Sequence, residues 1–117
     1  MSADITELFD ANAPLCIKKR EEFRDNLLES VEEVLAFSKV VLNFLEMNTD
    51  FKRVNILDCL DIFCSELDDL FGDSSKGIEE LIVERLYKKI NKKYEKDREK
   101  EFAEYIGDAL KEFIEYY

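Results

Sequence analysis

The sequence predicts an all-α fold, a bundle of four main helices, one of them unusually long, plus a short N-terminal helix. Three observations carry this. There are only three glycines and one proline in 117 residues, so almost nothing interrupts regular structure. Apolar residues recur at i, i+3, i+4 spacing through each long segment. The length is that of one domain, residues 1–117, and a hydrophobic content of 46% is enough to give it a core.

Taken in order, Ser2 can cap a first helix over residues 3–11, with Asp4 and Glu7 near its positive end. Pro14 fits the first turn of a second helix, where its missing N–H is not needed. From there to about residue 47 nothing breaks the pattern. Leu27, Val31, Val34, Ser38, Val41 and Leu45 form one face, flanked by Leu28, Leu35 and Leu42. Such a helix is a rod of about 50 Å, longer than a compact bundle can cover. It is expected to bend near residues 18–22 or to project its N-terminal part onto another copy. Phe37, Val40 and Phe44 lie on the flank of the stripe, so its second half is apolar over most of its circumference, the pattern of a core centre or an interface.

Asn48 and Thr49 close that helix and can cap a third over residues 51–71. Ile56, Leu60, Phe63, Leu67 and Leu70 make its stripe, with Leu57, Cys64 and Phe71 beside them. Gly72 suits the residue after the helix end, and Asp73, Ser74 and Ser75 form a capping loop. A fourth helix over residues 78–94 carries Ile78, Leu81, Ile82, Leu86 and Ile90. Its apolar centre lies roughly opposite that of Phe102, Ile106, Leu110 and Phe113, at about 100° per residue. A break is therefore expected within residues 95–100, with Asp97 capping a fifth helix. Gly107 in that helix points to close packing, and the apolar end Phe113, Ile114, Tyr116 and Tyr117 to docking on the core or a partner.

Composition narrows the function. With no histidine, the usual general base, nucleophile activator and transition-metal ligand are missing together. The net charge of −11 disfavours nucleic acid and anionic lipid and suits a basic protein. No apolar run approaches a membrane span, and the first residues lack the basic and apolar regions of a secretory signal. A cytoplasmic location is the expectation. Cys16, Cys59 and Cys64 contain no CxxC pair, and Cys59 and Cys64 lie roughly 140° apart around a helix. Cys16 and Cys64 read as small buried hydrophobes.

Two constellations remain. Glu29 and Glu33 stand i, i+4 on the second helix with Glu32 adjacent, and Asp58 and Asp61 stand i, i+3 on the third. Paired carboxylates on two helices could hold Mg²⁺ through oxygen ligands. The segments around Glu29–Glu32–Glu33 and Asp58–Asp61 resemble the EExxE and ExxD halves of the metal motif in all-helical nucleoside triphosphate pyrophosphohydrolases of the MazG type. Ser30 and Asp58 depart from it, altering two of five ligand positions, and the resemblance covers about a dozen residues. The helix phases also turn Asp58 and Asp61 roughly 175° and 115° from the apolar centre, and Glu29 outward.

The second constellation is a basic strip, Lys88, Lys89, Lys92 and Lys93, interleaved with Tyr87 and Tyr94 as a phosphate backbone with stacked bases would want. Those lysines also complement a helix C-terminus and can pair with Glu80 and Glu84 or with the acidic face of Asp58, Asp61, Asp68 and Asp69.

The expectation drawn from these features is a non-catalytic acidic interaction module without a cofactor, self-associating as a homodimer or higher oligomer. Its working surface combines the projecting part of the second helix with the acidic face of the third, and Phe37, Val40 and Phe44 are the expected interface between copies. The alternatives are an acidic nucleic-acid mimic that occupies a basic protein, a Mg²⁺-dependent pyrophosphohydrolase-like enzyme using Glu29, Glu33, Asp58 and Asp61, and a nucleic-acid-binding subunit using the lysine strip.

Overall fold

Pro14 opens the first helix, α1 (Pro14–Val34), of the computed structural model, which describes residues 14–116. Four more follow: α2 (Ser38–Asn48), α3 (Leu60–Phe71), α4 (Ser75–Lys89) and α5 (Phe102–Tyr116). A 3-10 segment (Arg53–Asp58) precedes α3, and a 3-10 turn (Gly72–Ser74) joins α3 to α4. No strand occurs among the described residues, and the class is the all-α bundle expected. The helix expected over residues 3–11, and Tyr117, lie outside the described residues. No described helix is long and apolar enough to cross a membrane.

The longest helical run is not where the sequence placed it. It extends from Leu60 through Lys89, as α3, the 3-10 turn and α4 without an intervening coil residue. The rod expected over residues 14–47 is instead broken between α1 and α2, where Phe37 adopts left-handed backbone, φ 57° and ψ 37°. That conformation costs a bulky residue about 1–2 kcal/mol. The break lets α2 turn back so that Leu42 and Leu45 are fully buried, each worth roughly 1.5–3 kcal/mol. Burial wins. A straight rod would have carried both leucines beyond the core.

The third helix is also shorter than expected. Thr49 accepts the Phe51 N–H at 3.0 Å, and the chain then enters the 3-10 segment, which is irregular at Asn55. Arg53 fastens this segment to α2: its backbone N–H and Nε both donate to Glu46 Oε2, at 2.8 and 2.9 Å. Of the expected stripe, Ile56, Phe63 and Leu67 are buried, Leu60 is half-buried and Leu70 is exposed. Gly72 takes φ +57° and ψ −128°, backbone that glycine adopts without strain. Ser75 of α4 then donates to the Asp68 carboxylate of α3.

The fourth helix ends earlier than expected, at Lys89, and by a specific device. Asn91 sits at φ 57°, Lys92 N–H donates to the Tyr87 carbonyl at 2.8 Å and Asn91 N–H to that of Lys88 at 3.3 Å. This is a Schellman termination with asparagine in the left-handed position. The separation of α4 from α5 is as expected, but Asp97 does not cap α5. It organises a turn, accepting the Glu99 N–H at 2.9 Å, while the Glu101 carbonyl accepts the N–H groups of Glu104 and Tyr105 at 3.0 and 3.1 Å.

The core runs along α1, which packs on α4 and α5. Phe23, Leu27 and Val31 are fully buried there, and Phe23 meets Phe113 with ring centroids 5.7 Å apart. Phe63 links Phe51 to Phe102 at 5.8 and 6.0 Å. The C-terminal docking expectation holds for Phe113, and Lys19 Nζ donates to the Ile114 carbonyl at 3.1 Å; Tyr116 is exposed. Cys16 and Cys59 are buried and Cys64 half-buried.

Gly107 corrects another expectation: a Cβ there would meet nothing within 4 Å, so close packing is not its reason. Gly107→Ala is therefore expected to stabilise the fold by about 1 kcal/mol. Phe63→Ala should destabilise it by about 3–5 kcal/mol, and Leu60→Ala by less. Urea unfolding of the three variants checks all of these.

Candidate functional site

The four carboxylates considered for a metal do not come together. Glu29 and Glu33 face α4, where Lys89 Nζ lies 3.2 Å from Glu29 and 2.5 Å from Glu33, and Arg85 lies 3.5 Å from Glu33. The Lys89 contact holds the Glu33 carboxyl below its ordinary range. Asp58, from the 3-10 segment, pairs with Arg20 at 2.7 Å, and Asp61 is exposed on α3. Ser30, standing where the resembled motif has a glutamate, points into the core and donates to the Asn26 carbonyl at 2.8 Å. Among the described residues, no group of three or more histidine, cysteine, aspartate or glutamate side chains is placed to hold a metal ion.

Half of the basic strip, Lys89 and Lys92, is spent inside the molecule, though not against the expected acids. Lys89 serves α1. Lys92 pairs with Glu112 of α5 and lies 5.4 Å from the Tyr87 ring centroid. Lys93 meets Glu95 at 3.1 Å, and Lys88 is exposed. Tyr87 is not open to stacking by a base. It is buried, its hydroxyl donates to the Tyr105 carbonyl at 2.7 Å, and its ring packs edge-on against Tyr94 and Tyr105. Burial raises the Tyr87 hydroxyl well above its ordinary value and pushes Tyr94 up to about 12.

On the acidic face, Asp61 and Asp69 are exposed, Asp58 is held by Arg20 and Asp68 by Ser75.

Phe37, Val40 and Phe44 lie on the outer face of α2, and Met47, which sequence reading passed over, extends their line. Their exposures are 82%, 66%, 45% and 83%. The spacing 37, 40, 44, 47 is a heptad a/d stripe, a signal readable once Leu42 and Leu45 are assigned inward. The break at Phe37 removes the excess helix length expected to project onto another copy, while the apolar flank itself is exposed.

A second site was hidden. The inward face of α4 is Ser75, Glu79, Ile82, Val83, Leu86 and Tyr87, rotated from the expected stripe, and Leu81 is exposed. Glu79 is the polar member of that face, and its charge masked the true phase. Its side chain is 7% exposed; Lys76 Nζ lies 3.7 Å from Oε1, beyond hydrogen-bond reach, and Oε2 has no partner. Glu79 helps line a cleft of about 310 Å³ formed by α4, the connection to α5 and the start of α5. Burial raises its carboxyl above the ordinary range, with Asp68 and Glu101 adding to the shift and Lys76 opposing it. The neighbouring Cys64 thiol is pushed up to about 12, mainly by burial, so it is protonated at neutral pH.

Comparison with known proteins finds no matching family model, no matching curated protein and no matching solved structure.

A carboxyl raised on folding takes up its proton first in the folded protein, so the fold gains stability as pH falls through the folded value toward the unfolded one. Glu33 and Glu46 act oppositely: lowered by Lys89 and Arg53, they lose their contribution as pH falls through their folded values. Glu79→Gln removes only the first effect. Its stability relative to the parent is expected to rise as pH increases through the raised Glu79 value, as read by denaturant midpoints at each pH.

Proposed function

We propose that this domain is a non-catalytic, cytoplasmic helical interaction module that self-associates through the outer face of α2. The observation that carries the reading is the line Val40, Phe44 and Met47, three large exposed apolar side chains on a helix whose opposite face is already in the core, with exposed Phe37 beside them at its N-cap. Phe37 strengthens it. An aromatic residue held in left-handed backbone yet largely in water gains no packing within the chain, and strain of this kind concentrates at functional positions.

Together these side chains leave on the order of 500 Å² of apolar surface in water, a large patch for a monomer. Two copies packed antiparallel about a two-fold axis would set Phe37 against Met47 and Val40 against Phe44 in a single self-complementary seam. The area covered, on the order of 1,000 Å², falls below that of a standard stable interface. Association is therefore expected to be weak and concentration-dependent.

Sedimentation equilibrium of the parent from about 10 to 500 µM should give a mass rising above that of one chain toward two. Phe44→Gln should hold it at one chain throughout. Phe37→Gly should do the same while raising the stability of the monomer by about 1 kcal/mol, because it removes left-handed strain without removing a core contact. A single-chain mass for the parent across this range would overturn the reading.

A further inference from the structure

We propose that the cleft between α4 and the start of α5 binds a small organic cation, an alkylammonium or alkylguanidinium head on an apolar stem, with Glu79 as its counter-charge. This inference does not rest on self-association through α2.

Lys76, Lys96, Arg98 and Lys100 also line the cleft but are exposed and keep their water, so the sign of the ligand follows from the buried charge there, Glu79. Lys100 is hydrogen-bonded to Asp108 at 2.7 Å, and Lys96 lies 3.6 Å from Glu80. Glu79, by contrast, is more than nine-tenths buried, has no hydrogen bond to Oε2 and has its nearest cation at 3.7 Å from Oε1. A buried carboxylate without donors is costly, and a ligand N–H supplies what the fold does not. The terminal carboxylate torsion is soft, so a modest rotation presents Oε2 to a head group in the cleft.

The walls fit the rest of such a molecule. Val83 and Phe102 line the cleft with apolar surface for a stem; Tyr94 and Tyr105 line it as well, and Lys100 Nζ, 5.6 Å from the Tyr105 ring centroid, already uses that ring as a cation partner. The volume is at the lower end of small-ligand sites. At longer range, the net charge of −11 draws cations toward the protein and repels anions.

The test is titration of the ¹⁵N-labelled full chain with n-butylammonium chloride, n-butanol and sodium butyrate at constant ionic strength, followed by amide chemical shifts. Butylammonium should give saturable shifts confined to residues 76–83 and 94–105, with butanol at least about tenfold weaker and butyrate silent. Glu79→Gln should weaken butylammonium by about tenfold or more, and Glu80→Gln by less than about twofold. Should Glu79→Gln fail to fold, the butylammonium-to-butanol ratio in the parent reads the charge requirement without a substitution. The proposal is overturned by no saturable shift with butylammonium, by equal affinity in Glu79→Gln, or by a preference for butyrate.

Discussion

The seam along α1 is the contact on which the rest of this molecule depends. Phe23, Leu27 and Val31 stand on one stripe and are fully buried where α1 meets α4 and α5. Each contributes roughly 1.5–3 kcal/mol by leaving water, and no other element offers α4 and α5 a common surface of that length. Once the seam is set, Glu29 and Glu33 lie on the flank of α1 within reach of Arg85 and Lys89. Charge pairing there follows packing and does not drive it, since exposed pairs of this kind are worth little individually.

Charge also explains why the obvious functional readings fade in three dimensions. The lysines at the end of α4 and the glutamates of α1 look in sequence like two separate sites, one for phosphate and one for a metal. Packed together, Lys89 and Glu33 neutralise one another. The tyrosines that seemed ready to stack on bases form a closed cluster that holds the connection to α5, with Tyr105 Oη taking the Asp97 N–H at 2.6 Å. Besides exposed charges such as Lys88, Asp61 and Asp69, these internal pairings leave an apolar line on α2 and a buried carboxylate beside a cleft, neither of which reads as a charge run.

The fold was legible where apolar spacing was regular and the chain had one way to bury it. The inward positions Leu27, Val31, Phe63, Leu67, Ile106 and Phe113 are all in the core, and the phase argument correctly separated α4 from α5. Boundaries were less legible because three of the reversals use residues with no breaker signature. Phe37 takes left-handed backbone without being glycine, the 3-10 segment begins at Arg53, and α4 ends at Lys89 with Asn91 left-handed just beyond it. Only Asn91 carried a hint, since asparagine tolerates that conformation better than most residues.

Of the candidate site, Phe37, Val40 and Phe44 could be found from sequence because a helix apolar on too many sides must cover one of them. Glu79 could not. A glutamate in a helix reads as solvated by default, and only the packing of that face of α4 against the rest of the fold removes its water. The sequence by itself determined the class, the helical stripes and the acidic balance, because those depend on residue type and local period. Tertiary structure alone decided where the helices turn back, which charges cancel and which carboxylate is left without donors. Those outcomes depend on which faces meet, and contact between distant segments is not written in the local period of any one of them.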